Sequence, residues 1–175
     1  WKSLLDGDCG INTIESFDTS DQSVHIAGEV RDFNPEDYIQ KKELKKLGRF
    51  SQFAIAASKM ALDDAKLDIN ESNATRVGVI IGSGIGALEV IETEIGKMIE
   101  KGPKRISPFY IPAVITNMAS GNVSIYTGAK GPNKAIVTAC ASGTHSIGDA
   151  FQTILLGKAD AIIAGGSEAT ITRSG

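Results

Sequence analysis

The sequence has few of the residues that build disulfide frameworks and metal sites. Its 175 residues include two cysteines, two histidines and one tryptophan. Cys9 and Cys140 lie far apart in the chain and in unlike settings, so we expect no disulfide framework and a reducing cytoplasm as the compartment. No C-x-x-C or H-E-x-x-H spacing occurs, and we therefore expect no metal site.

Long apolar runs and an excess of charge of one sign are also missing. The longest apolar runs are short, such as Val77 to Ile81, so we expect no membrane span and no signal peptide. A net charge of −3 gives no reason to expect a nucleic acid as a partner. With 42% hydrophobic and 22% charged residues, the composition is that of a globular protein, and the length suits one domain.

The two ends of the chain suggest a piece of a larger protein. Trp1 opens the sequence within a helix-like segment, and Gly175 follows shortly after the strand-like run 161–164. We therefore expect partner residues of any functional site to lie partly outside these 175 residues.

Short apolar segments alternate with longer amphipathic ones. The predicted strands are residues 76–81, 135–139 and 160–166. A helix start is predicted at Asn34-Pro35. Longer helices are predicted over residues 42–66, 88–100, 113–126 and 142–157. Strands separated by helices predict a parallel sheet that is covered on both faces.

A glycine-rich run, Gly82-Ser83-Gly84-Ile85-Gly86, follows the first long strand. With Ala87 it matches the dinucleotide fingerprint G-x-G-x-x-G/A. A dinucleotide fold would next have a strand ending in an acidic residue about 20 positions on, but residues 102–108 form a loop with two prolines. We therefore expect no NAD and no other cofactor, and interpret these glycines as sites of close backbone packing beside a cavity.

Cys140 is the strongest candidate for chemistry because of its position between a strand and a helix. The run 135–139 predicts a buried strand, and the residues after Cys140 open a helix. At such a turn the helix dipole and free N–H groups favour a thiolate and can hold an oxyanion. Most free cysteines are small buried hydrophobes, so the position alone leaves both interpretations open.

Neither histidine is placed as a general base for Cys140. His145 lies five residues later, and five residues of helix turn by about 140 degrees, so the imidazole points away from the sulfur. His25 has no obvious partner. A cysteine nucleophile normally needs a base or a proton donor, so either the chemistry needs little help or the partner groups lie elsewhere.

Positive charge is concentrated at the start of the helix predicted over 42–66. The residues are Lys41, Lys42, Lys45, Lys46 and Arg49. Cations at a helix N-terminus oppose the helix dipole, so stability does not explain them. A solvated face is the ordinary interpretation.

Five segments, in order, resemble the signatures of the beta-ketoacyl-acyl carrier protein synthases, and most closely their type II members. These segments are 82–88, 104–112, 116–118, 138–145 and 164–168. The resemblance extends from Trp1 to Glu168. It implies an α/β, thiolase-like fold, in which two βαβαβαββ halves form a five-layered α-β-α-β-α structure. Residues 1–175 match the first half, without its opening strand and without the C-terminal half.

The resemblance implies an acyltransferase of fatty acid biosynthesis. Cys140 would take an acyl chain from acyl carrier protein as a thioester. Malonyl carrier protein would then lose carbon dioxide, and its carbanion would attack that thioester. In the family two histidines and a lysine of the second half assist, so we expect this fragment alone not to complete the condensation.

Other residues acquire roles from the same resemblance. Ile85 matches a residue that lines the acyl tunnel, and Tyr110 an aromatic position near that tunnel at the interface of a homodimer. The positions that meet the carrier protein are Lys42, Lys45, Lys46, Lys104 and Arg105. Cys9 is expected to be structural, and Glu168 a buried, hydrogen-bonded structural carboxylate.

Two alternatives share the fold. A thiolase would use acyl-coenzyme A directly, but the segment around Cys140 and the basic helix start favour the synthase. A non-catalytic partner subunit that shapes chain length would usually lack the cysteine, which is present here. The sequence does not decide the acyl chain length or the choice between fatty acid and polyketide pathways.

Overall fold

The computed structural model describes residues 1–175, which form two units. The first unit comprises residues 1–34 and 171–175, and the second residues 35–170. The elements, in chain order, are α1 (Lys2–Asp6), β1 (Asn12–Thr13), β2 (Ile26–Ala27), α2 (Lys41–Leu44), α3 (Arg49–Ala65), β3 (Val77–Gly82), α4 (Leu88–Lys101), α5 (Tyr110–Val114), α6 (Met118–Thr127), β4 (Asn133–Lys134), α7 (Ser142–Leu155) and β5 (Ala161–Gly166).

Polar contacts hold the first unit together, since no residue between 1 and 34 is buried. Strands β1 and β2 pair antiparallel. Arg31 forms ion pairs with Glu15 at 3.1 Å and with Glu29 at 3.3 Å. Arg173 forms an ion pair with Asp21.

The second unit is built on a parallel sheet in the order β4-β3-β5. Val77 is paired with Ala161 and Gly82 with Gly166, so β3 and β5 end side by side. The parallel sheet predicted from the alternation of strands and helices is thereby confirmed. Every candidate site residue named above belongs to this unit.

The two faces of β3 pack against different helices. Successive side chains of a strand point to opposite faces. Val77, Val79 and Ile81 belong to the core cluster that includes Phe50 of α3 and Val123 of α6. Ile80 is fully buried outside that cluster, on the face of Gly82, which abuts the start of α7. The sheet is therefore covered on both faces.

Helix α7 buries its small residues and exposes its large ones. Its buried residues are Ser142, Ser146, Ala150 and Thr153. Its exposed apolar residues are Ile147, Phe151, Ile154 and Leu155. The buried hydroxyls of Ser146 and Thr153 donate to the carbonyls four residues earlier in the same helix, which removes the cost of burying them. Small residues let α7 approach the sheet closely.

The helix predicted over 42–66 is interrupted, which corrects the prediction. Residues 45–48 separate α2 from α3, and Gly48 is extended, with φ −63° and ψ 155°. A Cβ at Gly48 would lie 2.4 Å from the Cβ of Ala87 and 2.8 Å from the carbonyl oxygen of Ala113. This close contact with two other segments fixes the bend. The helix predicted over 113–126 is likewise two helices, α5 and α6, and residues 35–37 form only a 3₁₀ turn.

The strand predicted over 135–139 was wrong, because β4 comprises Asn133 and Lys134 alone. The chain then leaves the sheet and passes close to Gly82, where a Cβ would lie 2.7 Å from the carbonyl oxygen of Ile136. Reaching the start of α7 requires this departure, so the apolar residues 135–137 do not continue the hydrogen bonding between strands.

No helix in the structure is both long enough and apolar enough to cross a membrane.

Glu94 of α4 anchors the loop that carries Lys104 and Arg105. Its carboxylate accepts hydrogen bonds from Lys97 Nζ at 2.6 Å and from the Ser107 N–H at 2.7 Å. The Lys97 contact, and then the Ser107 contact, hold the pKa of Glu94 below its ordinary value. A lowered pKa in the folded state contributes stability above the ordinary value of about 4.5, and this stability is lost as the pH falls through the folded-state pKa.

We therefore expect Glu94→Gln to lower the urea midpoint of unfolding at pH 7, and the difference from wild type to shrink as the pH falls below about 4.5. Glu100→Gln, at an exposed position of the same helix, serves as the control. A difference that stayed constant between pH 7 and pH 4 would contradict a role for the ionised carboxylate.

Candidate active site

Cys140 lies in a 3₁₀ turn, Ala139–Ala141, that leads directly into α7. Cys140 is an exposed residue in this structure. The residue before it, Ala139, has φ 51°, a left-handed conformation that costs a residue with a Cβ roughly 1 kcal/mol or more. Such a conformation persists only where the surroundings enforce it.

Hydrogen bonds from Ser142 hold the turn closed around Cys140. The hydroxyl of Ser142 accepts from the Thr138 N–H at 2.9 Å and donates to the Ala139 carbonyl oxygen at 2.7 Å. The Ala141 N–H donates to the Thr138 carbonyl oxygen at 3.1 Å. These three bonds satisfy the backbone on both sides of Cys140 and leave the sulfur to project from the turn.

Glycines at the strand ends bring the first turn of α7 against the sheet. A Cβ at Gly82 would lie 2.7 Å from the Ser142 carbonyl oxygen, and one at Gly166 would lie 2.8 Å from the Gly143 Cα. The first N–H groups of a helix have no acceptor within it, and the positive end of its dipole lies there. Cys140 thus lies beside the N-terminus of α7.

His145 is bonded to a neighbour other than Cys140. Its Nδ1 lies 2.8 Å from the Thr138 hydroxyl. This contact holds the imidazole beside the turn.

The glycine loop, residues 82–86, lies beside this turn and is bound by Glu168. Oε2 of Glu168 accepts from the N–H groups of Gly84 at 2.6 Å and Ile85 at 3.1 Å. Oε1 accepts from the Ser83 hydroxyl at 3.1 Å and the Gly86 N–H at 3.3 Å. The N–H groups that would bind a diphosphate in a dinucleotide fold bind a carboxylate of the protein itself.

Glu168 is an exposed residue, so the expectation of a buried carboxylate was wrong. Its carboxylate is nevertheless fully hydrogen-bonded, because the loop rather than the core supplies the donors. The glycines do pack closely, as expected: a Cβ at Gly86 would lie 2.3 Å from the Val114 carbonyl oxygen, and its φ of 85° suits glycine alone.

The structure brings Ile85 to the turn of Cys140. A Cβ at Gly84 would lie 3.5 Å from the Ala139 Cα, so the residues preceding Ile85 and Cys140 are neighbours. Ile85 is 52% exposed. Tyr110 lies on a separate element, as the first residue of α5, and is half-buried.

Lys46 lies over the ring of Phe109, in the segment that follows Lys104 and Arg105. Lys46 Nζ lies 5.4 Å from the centroid of the Phe109 ring, four residues beyond Arg105. Lys46 also forms an ion pair with Glu43 at 2.9 Å, and this hydrogen bond lowers the pKa of Glu43. The basic surface consists of Lys42, Lys45, Lys46, Lys104 and Arg105. Its other four members are exposed and form no ion pair within the structure.

Sequence reasoning missed two features of the site. The left-handed Ala139 carries no sequence signal, because alanine rarely adopts that conformation. The contact of Glu168 with the glycine loop had a signal, since parallel strands that end together bring their following residues to one edge. Cys9, whose Sγ lies 3.8 Å from the Ile11 carbonyl oxygen, belongs to the first unit and has no place in this site.

Comparison with protein families gives one match over the whole chain. The family model described as "Beta-ketoacyl synthase, N-terminal domain" matches residues 1–175. A 3-oxoacyl-[acyl-carrier-protein] synthase 2 of Staphylococcus aureus is 54% identical over 98% of this chain and 43% of its own length. The synthase 2 of Vibrio cholerae serotype O1 is 51% identical over 100% of this chain and 42% of its own. The chain thus spans less than half the length of these relatives.

Solved structures with the same fold are also ketosynthases. The ishigamide ketosynthase/chain length factor is similar with a TM-score of 0.85, at 27% identity, over 99% of this chain and 43% of that one. A type II PKS acyl-carrier protein in complex with its ketosynthase gives a TM-score of 0.78, at 28% identity, over 82% of this chain and 42% of that one. The α/β, thiolase-like fold expected from the sequence is confirmed.

The role of the contact between Gly166 and Gly143 can be tested by substituting Gly166, with Gly165 of the same strand as the control. We expect Gly166→Ala to push α7 off the sheet, to destabilise the fold by about 1–3 kcal/mol and to slow the labelling of Cys140 by a small electrophile. A Cβ at Gly165 would meet nothing within 4 Å, so Gly165→Ala should change labelling little. Equal labelling rates in the two variants would contradict this role of the glycine contact.

Proposed function

The chain belongs to the beta-ketoacyl synthase family, and from this membership we propose that it is the N-terminal part of a 3-oxoacyl-acyl carrier protein synthase of fatty acid biosynthesis. The observation that carries the proposal is the exposed Cys140, in a hydrogen-bonded turn at the start of α7. The names of the relatives at 51–54% identity support the substrate class.

The geometry supports acyl transfer to Cys140. The thiolate attacks the carbonyl carbon of an acyl thioester, and a tetrahedral oxyanion forms beside the N-terminus of α7. The intermediate collapses with cleavage of the C–S bond of the substrate, and the carrier thiolate leaves. The acyl chain is then bound to Cys140 as a thioester, and the departing thiolate takes up a proton.

Condensation follows with malonyl carrier protein. Loss of carbon dioxide gives a carbanion, which attacks the Cys140 thioester and releases the cysteine. The two histidines and the lysine that assist in the family lie outside these 175 residues, so the chain alone carries only the acyl-transfer part of the reaction.

Two residues are proposed for the acyl tunnel. Ile85 follows Gly84, which is a neighbour of Ala139, so its exposed side chain is well placed to meet a chain attached to Cys140. Tyr110 opens α5, a helix whose Val114 carbonyl is in close contact with the same loop at Gly86. Both roles follow the family pattern.

The acyl carrier protein is the proposed macromolecular partner. The basic surface offers exposed cations that make no ion pair of their own, apart from Lys46, which is bound to Glu43. Carrier proteins are acidic, so attraction between the two surfaces raises the rate of encounter. One solved relative is a ketosynthase in complex with its acyl-carrier protein.

The complete enzyme is proposed to be a cytoplasmic homodimer in which a second half covers α7. The exposed Phe151 and Leu155 would then be buried. Strand β5 is paired only with β3, so its outer edge is free for further pairing.

Two exposed free thiols, Cys9 and Cys140, fit a reducing compartment. No observation favours a coenzyme A-dependent thiolase or a non-catalytic subunit.

Substitution of Cys140 tests the proposed nucleophile. In the complete enzyme we expect Cys140→Ala to abolish the transfer of an acyl group from acyl carrier protein to the enzyme, as measured by the mass of the intact protein. Cys9→Ala is the control and should load normally. An acylated Cys140→Ala enzyme would show that another residue is the nucleophile.

Charge reversal tests the basic surface. We expect Lys42→Glu with Lys45→Glu to lower kcat/KM for acyl carrier protein substrates by roughly 10-fold or more at low salt, and to leave a small thioester without the protein nearly unaffected. The difference should shrink as salt rises. Lys130→Glu, at an exposed position of another loop, is the control. An equal loss of kcat/KM with both substrates would show that the substitutions act by disturbing the fold and not by weakening carrier-protein binding.

A further inference from the structure

One carboxylate holds nearly the whole glycine loop. Glu168 accepts four hydrogen bonds, from the hydroxyl of Ser83 and from three successive N–H groups of residues 84–86, at 2.6–3.3 Å. An ionised carboxylate has about four acceptor sites, so all of its hydrogen-bonding capacity is used. No lone pair is left for a reacting proton, and the role of Glu168 is therefore not that of a base.

The backbone that carries Glu168 is itself fixed. The Ser167 N–H donates to the Gly82 carbonyl oxygen at 3.0 Å, which continues the pairing of β5 with β3. The Ser167 hydroxyl donates to the carbonyl oxygen of Phe50, a fully buried residue of α3, at 2.6 Å. Glu168 therefore starts from a rigid position, and the loop takes its place from the carboxylate.

The loop in turn faces the residue before the nucleophile. A Cβ at Gly84 would lie 2.9 Å from Glu168 Oε2 on one side and 3.5 Å from the Ala139 Cα on the other. Ala139 is the strained residue, with φ 51°. Gly84 thus lies between the carboxylate and the turn, and a Cβ there could be accommodated only by a shift of the Glu168 carboxylate.

We propose that Glu168 is the positioning residue of the candidate active site: by fixing the glycine loop against Ala139, it holds the turn that orients Cys140 and fixes the backbone of Ile85. The inference rests on the proposed function, in which Cys140 is acylated by a carrier protein that docks on the basic surface. The effect is transmitted through hydrogen bonds and backbone contact, and Glu168 itself touches neither substrate nor sulfur.

A carboxylate is required because both of its oxygens accept. A glutamine of the same length would keep one oxygen for Gly84 and Ile85 but turn an NH₂ group toward the Gly86 N–H. An alanine would leave all four donors without this partner. Ser83→Ala would remove one of the four bonds to Glu168, together with the bond that the Ser83 hydroxyl accepts from the Gly86 N–H at 3.2 Å, and keep the charge of Glu168. The three variants therefore form a graded series.

The test uses the complete synthase and the single-turnover rate constant of acyl transfer from acyl carrier protein to Cys140 at saturating substrate. This constant does not depend on the fraction of folded protein, which alters only the amplitude. We expect the rates to fall in the order wild type, Ser83→Ala, Glu168→Gln, Glu168→Ala, with the last slower by roughly 10-fold or more. The substrate concentration at half saturation should stay within twofold, since the carrier protein docks on the basic surface.

Glu71→Gln, at an exposed position outside the site, should react at the wild-type rate. Rate constants within twofold of wild type in a folded Glu168→Ala enzyme, with only the melting temperature lowered, would overturn the proposal and leave Glu168 a purely structural residue. If Glu168→Ala does not fold, the same criterion applies to Glu168→Gln and Ser83→Ala.

Alkylation of Cys140 by iodoacetamide separates this proposal from the proposed function. Its rate constant reports the presentation of the sulfur without any carrier protein, and it should fall in the same order. A wild-type enzyme that fails to load acyl groups while the alkylation series holds would refute the proposed function alone. An alkylation rate that is the same in every variant would refute the positioning role.

Discussion

Close backbone contact between the ends of two strands and the first turn of α7 is the constraint on which the site depends. Gly166 meets Gly143, and Gly82 meets Ser142, at distances that leave no room for a side chain. Because Cys140 directly precedes this helix, the contact fixes the place of its turn beside the glycine loop. A wider separation would move the start of α7, and the turn that carries Cys140, away from that loop.

The two faces of the sheet serve different ends. On one face, α3 and α6 bury large apolar side chains such as Phe50 and Val123, and this face supplies most of the hydrophobic stabilisation. On the other face, α7 is placed by small residues and hydroxyls, and Phe151 remains 66% exposed. The helix that shapes the chemistry is therefore held by backbone contact, and its large residues are available to another surface.

Charge acts at two ranges in this molecule. The carboxylate of Glu168 works through direct hydrogen bonds to a loop, where salt has little effect and geometry is decisive. The cations of the basic surface work over longer distances, where exposure and salt determine the effect. Lys46 acts at both ranges: it belongs to the basic surface, and it is also bound directly to Glu43 and lies over the ring of Phe109.

The sequence by itself determined the parallel α/β class, the segment that carries Cys140 and the loop that carries Ile85, because apolar periodicity and local glycine patterns are properties of neighbouring residues. It did not determine where the long helix breaks, because that break is set by the packing of Gly48 on Ala87 and Ala113. It also did not determine that residues 135–139 leave the sheet, because their path depends on the close approach of Ile136 to Gly82. The left-handed Ala139 and the four bonds of Glu168 were likewise decided only by the tertiary structure. The bonds of Glu168 join residues 82 to 85 positions apart, which no local pattern records.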